Sequence, residues 1–176
     1  MDRLPYSAAW LLQWRAQITD AVAAMAATFE ETYGFPAGDN EVRLADEDDR
    51  RAVRAYAREW PGTDDLLTFY RSIGEVLLPD VGNGIFLHSA RDVLHRVAEE
   101  GHVFLPGADD PHGMVIGSDG GGILFVADRS GMIHRSRTAS TDAGEFDRAA
   151  DNLPDFLDLI RRSVLRFAET GEPGCP

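Results

Sequence analysis

The residues with the most chemical potential in this sequence are carboxylates in tight groups. They are Asp46, Glu47, Asp48 and Asp49, then Asp64 and Asp65, Glu99 and Glu100, and Asp109 and Asp110. Carboxylates that open a helix suit the positive end of its dipole. The same charges can form a negative face that steers a basic partner into fast association. The second feature is GSDGGG, Gly117 to Gly122. A Gly-rich loop cradles phosphate when it opens a helix. Here strand-like runs flank it and no GK[ST] follows, so the glycines read as a hairpin turn that needs positive φ angles. Asp119, inside this loop, lacks the several spaced oxygen ligands of a calcium loop. The histidines (His88, His95, His102, His112 and His134) show neither H-x-x-x-H nor H-E-x-x-H spacing. A metal site would therefore need ligands assembled by tertiary structure, and neither metal nor cofactor is expected. There is no G-x-S-x-G elbow. The single cysteine, Cys175, lies next to last without a local partner. Lysine is absent, which removes Schiff-base chemistry. No catalytic residue is assigned, and the chain is expected not to be an enzyme.

The charge balance narrows the partner classes. There are 30 acidic residues against 17 basic ones, all Arg, for a net charge of −13. That argues against binding nucleic acid, which requires cationic neutralisation of phosphates, and against anionic membrane surfaces. The apolar stretches fall far short of the roughly 20 residues of a membrane helix. The N-terminus carries Asp2 before a short apolar patch and no small-residue cleavage site. It reads as a helix, not a signal peptide, and a cytoplasmic location is expected. One cysteine excludes an internal disulfide. A chain of 176 residues with 44% apolar content can bury roughly 70% of its unfolded surface as one domain.

The elements that must position these groups follow from spacing. Ser7 is a candidate N-cap for a helix to residue 33, in which Trp10, Leu11, Trp14, Ile18, Val22, Met25 and Phe29 recur at three- and four-residue steps. Gly34 and Pro36 end it. A short extended piece is expected at Glu41 to Leu44, and a second helix from near Ala45, with a stripe of Val53, Tyr56, Ala57 and Trp60, stopped by Pro61 and Gly62. Thr63 caps a third helix through Leu66, Leu67, Phe69, Tyr70 and Ile73. Trp60 and Tyr70 fit the core, although such residues also enrich interface centres. From Gly74 the pattern changes to two short strands around Pro-Asp and Gly-Asn-Gly turns. Ser89 caps a helix over Ala90 to Glu100, closed by Gly101. Val103 to Leu105 is a candidate strand, and PGADDPHG is a loop. Met114 to Gly117, Ile123 to Ala127 and Met132 to Arg135 form an antiparallel meander across SDGGG and DRSG joins. A closing helix carries Leu153, Phe156, Leu157, Ile160, Val164 and Phe167, with Pro154 in its first turn. The order specifies a single-domain α+β fold, with N-terminal helices, a mainly antiparallel sheet and flanking helices.

Two stretches resemble the SUKH superfamily, which includes Smi/Knr-type cell-wall regulators and bacterial immunity proteins. The first is LLTFYRSIGEVLLPDVGNGIFLHSARDV, where Phe69, Tyr70, Leu78, Pro79, Asn83, Gly84 and Phe86 fall on the family's helix, turn and strand. The second is VIGSDGGGILFVADRSGMIHR, similar to the family's strand–Gly-rich turn–strand core; LPDFLDLI resembles its late helix. The resemblance spans residues 45 to 165 and leaves residues 1 to 40 as an N-terminal helical extension. It implies a SUKH-like domain over 1 to 176 and a non-enzymatic protein-binding module, commonly an immunity protein that blocks a cognate toxin such as a nuclease. Candidate contact residues for that basic protein partner are Asp46, Glu47, Asp48, Asp49, Asp64, Asp65, Asp109, Asp110 and Asp119. The alternatives are a regulatory adaptor, or a small-molecule or nucleotide sensor using the Gly117 to Gly122 loop.

Overall fold

A computed structural model describes residues 5–59, 64–142 and 144–174. Trp60, Pro61, Gly62, Thr63 and Cys175 lie outside the described residues. The chain opens with helix α1, Ala8–Tyr33. The Ser7 side chain accepts from the Trp10 N–H and caps its start, and Gly34, at φ 83°, ends it. The three-four spacing places Trp10, Leu11, Trp14, Ile18, Val22, Met25 and Phe29 on one buried stripe. Strand β1 is Glu41–Leu44, helix α2 is Glu47–Glu59, and helix α3 is Asp64–Ser72. Strands β2, Ile73–Leu78, and β3, Ile85–Leu87, follow, then helix α4, Ala90–Glu100. Strands β4, Val103–Phe104, β5, His112–Asp119, β6, Leu124–Asp128, β7, Ile133–Ser136, and β8, Phe146–Ala150, complete the sheet, and helix α5, Leu153–Thr170, closes the chain. This is the α+β arrangement that the sequence predicts.

Every pairing in the sheet is antiparallel, in the order β1-β2-β3-β5-β6-β7-β8. Strand β4 also pairs with β5, at Val103↔Gly113 and Phe104↔His112, while β3 pairs at Gly117 to Asp119. Strands β3 and β4 therefore lie end to end along one side of β5, and α4 is an excursion inserted between them. Several elements differ from the sequence reading. Ile73, expected in the third helix, opens β2. His112 and Gly113, expected in a loop, belong to β5 because β4 pairs with them. Strand β8 forms where the sequence pattern predicts no element: FDRAA has no apolar alternation, and its extended form comes from pairing with β7.

Helices α1 and α5 run side by side in the same direction. The Trp14 indole N–H donates to the Leu157 carbonyl at 2.7 Å near their starts, and Tyr33 approaches Gly171 at their ends. Both helices pack into one core with α2, α3, α4 and one face of the sheet, where Phe125 meets Phe156 edge-on at 5.0 Å. The first helix is thus part of the domain's main core, not an appendage to it. A smaller cluster of Leu105, Val115, Leu124 and Val126 sits apart from that core.

The start of α2 shows how local chemistry uses the acidic residues. The Asp46 carboxylate accepts from the Asp49 N–H, and the Asp49 carboxylate accepts from the Asp46 N–H, each at 2.9 Å. This is a reciprocal cap, so the helix begins one or two residues later than the sequence suggests. Asp49 is 7% exposed and also pairs with the Arg43 guanidinium. Burial alone would raise its pKa, but the bonds from Arg43 and the Asp46 backbone hold it below the usual carboxylate range. A lowered folded-state pKa contributes stability that is present above the unfolded value near pH 4 and lost as pH falls through the folded value. Asp49→Asn is expected to cost about 1–2 kcal/mol at pH 7. Urea melts at pH 7 and pH 3 check this: the gap between variant and wild type should narrow at the lower pH. An equal gap at both would show that charge is not the cause.

Candidate functional site

The sequence-predicted carboxylates lie on separate elements of the fold. The Ala45 N–H donates to the Ser72 carbonyl at 3.0 Å, which places Asp46, Glu47, Asp48 and Asp49 beside the end of α3. Asp64 and Asp65 open that helix, about 13 Å away along its axis. Asp109 and Asp110 precede β5 and Asp119 ends it, about 25 Å further along the strand. Several are also committed to local structure. Asp48 pairs with Arg51 at 2.7 Å. Asp110 accepts from the His112 N–H and contacts its ring, each at 3.0 Å, and those bonds lower its pKa. Asp119 accepts from the Gly121 and Ile123 N–H groups, each at 2.9 Å, and so shapes its own turn. Asp65 is raised by burial and by neighbouring Asp64.

The Gly117 to Gly122 loop packs against the β2–β3 turn. The Gly120 N–H donates to the Asn83 carbonyl at 2.7 Å. Gly122 alone in this run has positive φ, at 87°. Gly117 and Gly120 are glycine for a different reason: a Cβ there would strike the Phe86 and Asn83 carbonyl oxygens. A cavity of about 40 Å³ beside the β2–β3 turn is lined by Asp119 but by none of Gly120 to Gly122, and has room for a water molecule.

A buried Asp–His pair is the arrangement here closest to catalytic geometry. Asp128, 2% exposed, accepts from His134 Nε2 at 2.8 Å, and His134 is 9% exposed. Ser130 completes the residue types of a hydrolytic triad. Its hydroxyl, however, donates to Asp128 Oδ1 at 2.6 Å instead of facing the imidazole. A nucleophile must bond to its base, and the base to the carboxylate. Here both bond to the carboxylate, which also accepts from the Ser130 and Met132 backbone. The group is a clamp on the β6–β7 turn.

The strongest surface feature lies where the α4 excursion rejoins the sheet. A groove of about 330 Å³ runs between the last turn of α4, strand β4 and the loop after β7. Val103, Phe104 and Val115 give it an apolar wall, and Glu100 and Asp142 stand on its rim. Phe104 is 63% exposed, the most open of the large apolar side chains described. Arg96 also lines the groove and pairs with Glu100 at 2.9 Å. The β4–β5 turn next to Phe104 carries Asp109 and Asp110. The sequence pattern marks Glu99, Glu100, Asp109 and Asp110 as acidic pairs and does not single out Phe104. The usable signal was an apolar run, Val103 to Leu105, with an acidic pair on either side.

No protein-family model matches this chain, and no curated protein matches it significantly. Among the described residues, no helix is long and apolar enough to cross a membrane.

Proposed function

We propose that this chain is a non-catalytic protein-binding module that neutralises a basic protein toxin, in the manner of an immunity protein. The observation that carries this reading is the α4–β4 groove. It joins an exposed aromatic side chain to carboxylates on a chain of net charge −13. Aromatic anchors in a recess supply binding energy, and carboxylates around them supply steering and exclude acidic partners. The SUKH-like motifs support the same reading, because that family's bacterial members commonly act as immunity proteins.

The test is co-expression with the products of the neighbouring genes, any toxin domain among them included. Rescue of growth and a complex stable to size exclusion are the expected results. Reversing charge at the groove, Glu100→Arg with Asp142→Arg, should slow association at least about tenfold at low salt and less at high salt. Absence of both rescue and complex would overturn the neutralising role. A regulatory adaptor would then be the reading to pursue. A phosphate-bearing ligand that raised the melting temperature would instead favour a sensor.

A further inference from the structure

We propose that an extended, arginine-bearing segment of the partner adds as a strand to the outer edge of β4, with its backbone bonded to Phe104. This rests on the reading of the groove as a protein-docking surface and adds the form of the segment that docks. The Leu105 N–H donates to the Pro111 carbonyl at 2.7 Å, and Val103 lies opposite Gly113. In an antiparallel pair, successive residues direct their N–H and C=O groups alternately toward the partner strand and away from it. Phe104 lies between two residues that face β5. Its own N–H and C=O therefore point outward, on the side where β4 has no neighbouring strand among the described residues.

The other sheet edges carry charged or capped groups, whereas β4 is blunted only by its length of two residues. At β1, the Arg15 guanidinium donates to the Val42 carbonyl at 2.7 Å. At β8, Asp147 and Arg148 are exposed and ion-paired, with Arg137 and Asp151. Charged side chains and capped carbonyls are the usual means of blocking edge pairing. Strand β4 offers Val103 and Phe104 instead. Main-chain bonds to such an edge give affinity, and side-chain pockets give selectivity.

The charge around the edge selects the segment. Carbonyls at the end of α4 carry the negative end of the helix dipole toward the groove. Asp142 adds a carboxylate, Glu100 shares its charge with Arg96, and His102 also lines the groove. Side chains of an added strand alternate in direction, so every second residue reaches the groove. Arginine fits there by stacking on Phe104 while bonding a carboxylate.

The test titrates the ¹⁵N-labelled protein with acetyl-Arg-Val-Arg-Val-Arg-amide. The comparators are the same peptide with Glu in place of Arg, and one N-methylated on its central backbone amides. Saturable shifts at Glu100, Gly101, Phe104 and Asp142 are expected, with slowed hydrogen exchange at the Phe104 amide. Both comparator peptides should bind at least about tenfold more weakly. Phe104→Pro, which removes the outward N–H, should weaken binding similarly. Equal binding of the N-methylated peptide, shifts centred on Asp46 to Asp49, or no saturable shift would each overturn strand addition. The titration uses no toxin, so its failure with growth rescue intact removes strand addition alone. Loss of rescue with the peptide still bound removes the neutralising role alone.

Discussion

Trp14→Ala is expected to destabilise the domain by about 3–5 kcal/mol, the range for emptying a buried aromatic site. Trp14 is 1% exposed, packs where α1 lies along α5, and ties the two together through the Leu157 carbonyl. Loss of the ring leaves a cavity between two long helices, neither of which can close it without tilting. Folded domains have only about 5–15 kcal/mol in hand, so the variant approaches the unfolding threshold. Trp14→Phe should cost much less, because most of the volume stays and the Leu157 carbonyl keeps its place in α5. Urea melts with a common slope would measure both, and the alanine variant should show the larger fall in midpoint. Unchanged midpoints would mean that α1 is a detachable extension.

Much of this fold is legible in local patterns because local physics decides it. Helix α1 is marked by Ser7, by Gly34 and by a stripe at three- and four-residue steps, and α5 by its stripe with Pro154 in the first turn. Both depend on residues within one or two turns of each other. Strand β8 is not legible, because Phe146, Asp147 and Arg148 have no alternation and become a strand only against β7. The union of β3 and β4 into one interrupted edge is equally hidden, because β5 aligns them from residues far along the chain. The candidate site divides the same way. Acidic composition is visible, but the use of Asp46, Asp49 and Asp119 as caps and turn-formers depends on which N–H groups lie within reach. Phe104 shows the converse. Its residue type fits a core strand, yet its side chain is 63% exposed.

Gly120→Ala should be among the most damaging single-methyl changes available, while Gly121→Ala, one residue later, should be nearly silent. A Cβ on Gly120 would collide with the Asn83 carbonyl oxygen, and one on Gly117 with that of Phe86. Both obstacles are backbone, so no side-chain rotation relieves them. Relief requires parting the β5–β6 turn from the β2–β3 turn, or β5 from β3. Each separation also breaks hydrogen bonds, including Gly120 N–H to Asn83 O. Overpacking of this kind costs about 3 kcal/mol or more, a fall of roughly 6–12 °C in melting temperature for a chain of this size. At Gly121 the nearest atom is an Asp119 carboxylate oxygen at 3.3 Å, and its φ is not positive. A methyl group there needs only a small shift of that side chain. The contrast separates two roles for the same Gly-rich run. A phosphate cradle would need the glycines for access to a ligand, and the damage would appear in ligand binding with the apo fold intact. A joint between two turns needs Gly117 and Gly120 for backbone contact, and the damage appears in apo stability. Thermal melts of the three alanine variants without any ligand decide between them, and similar melting temperatures for all three would count against the joint.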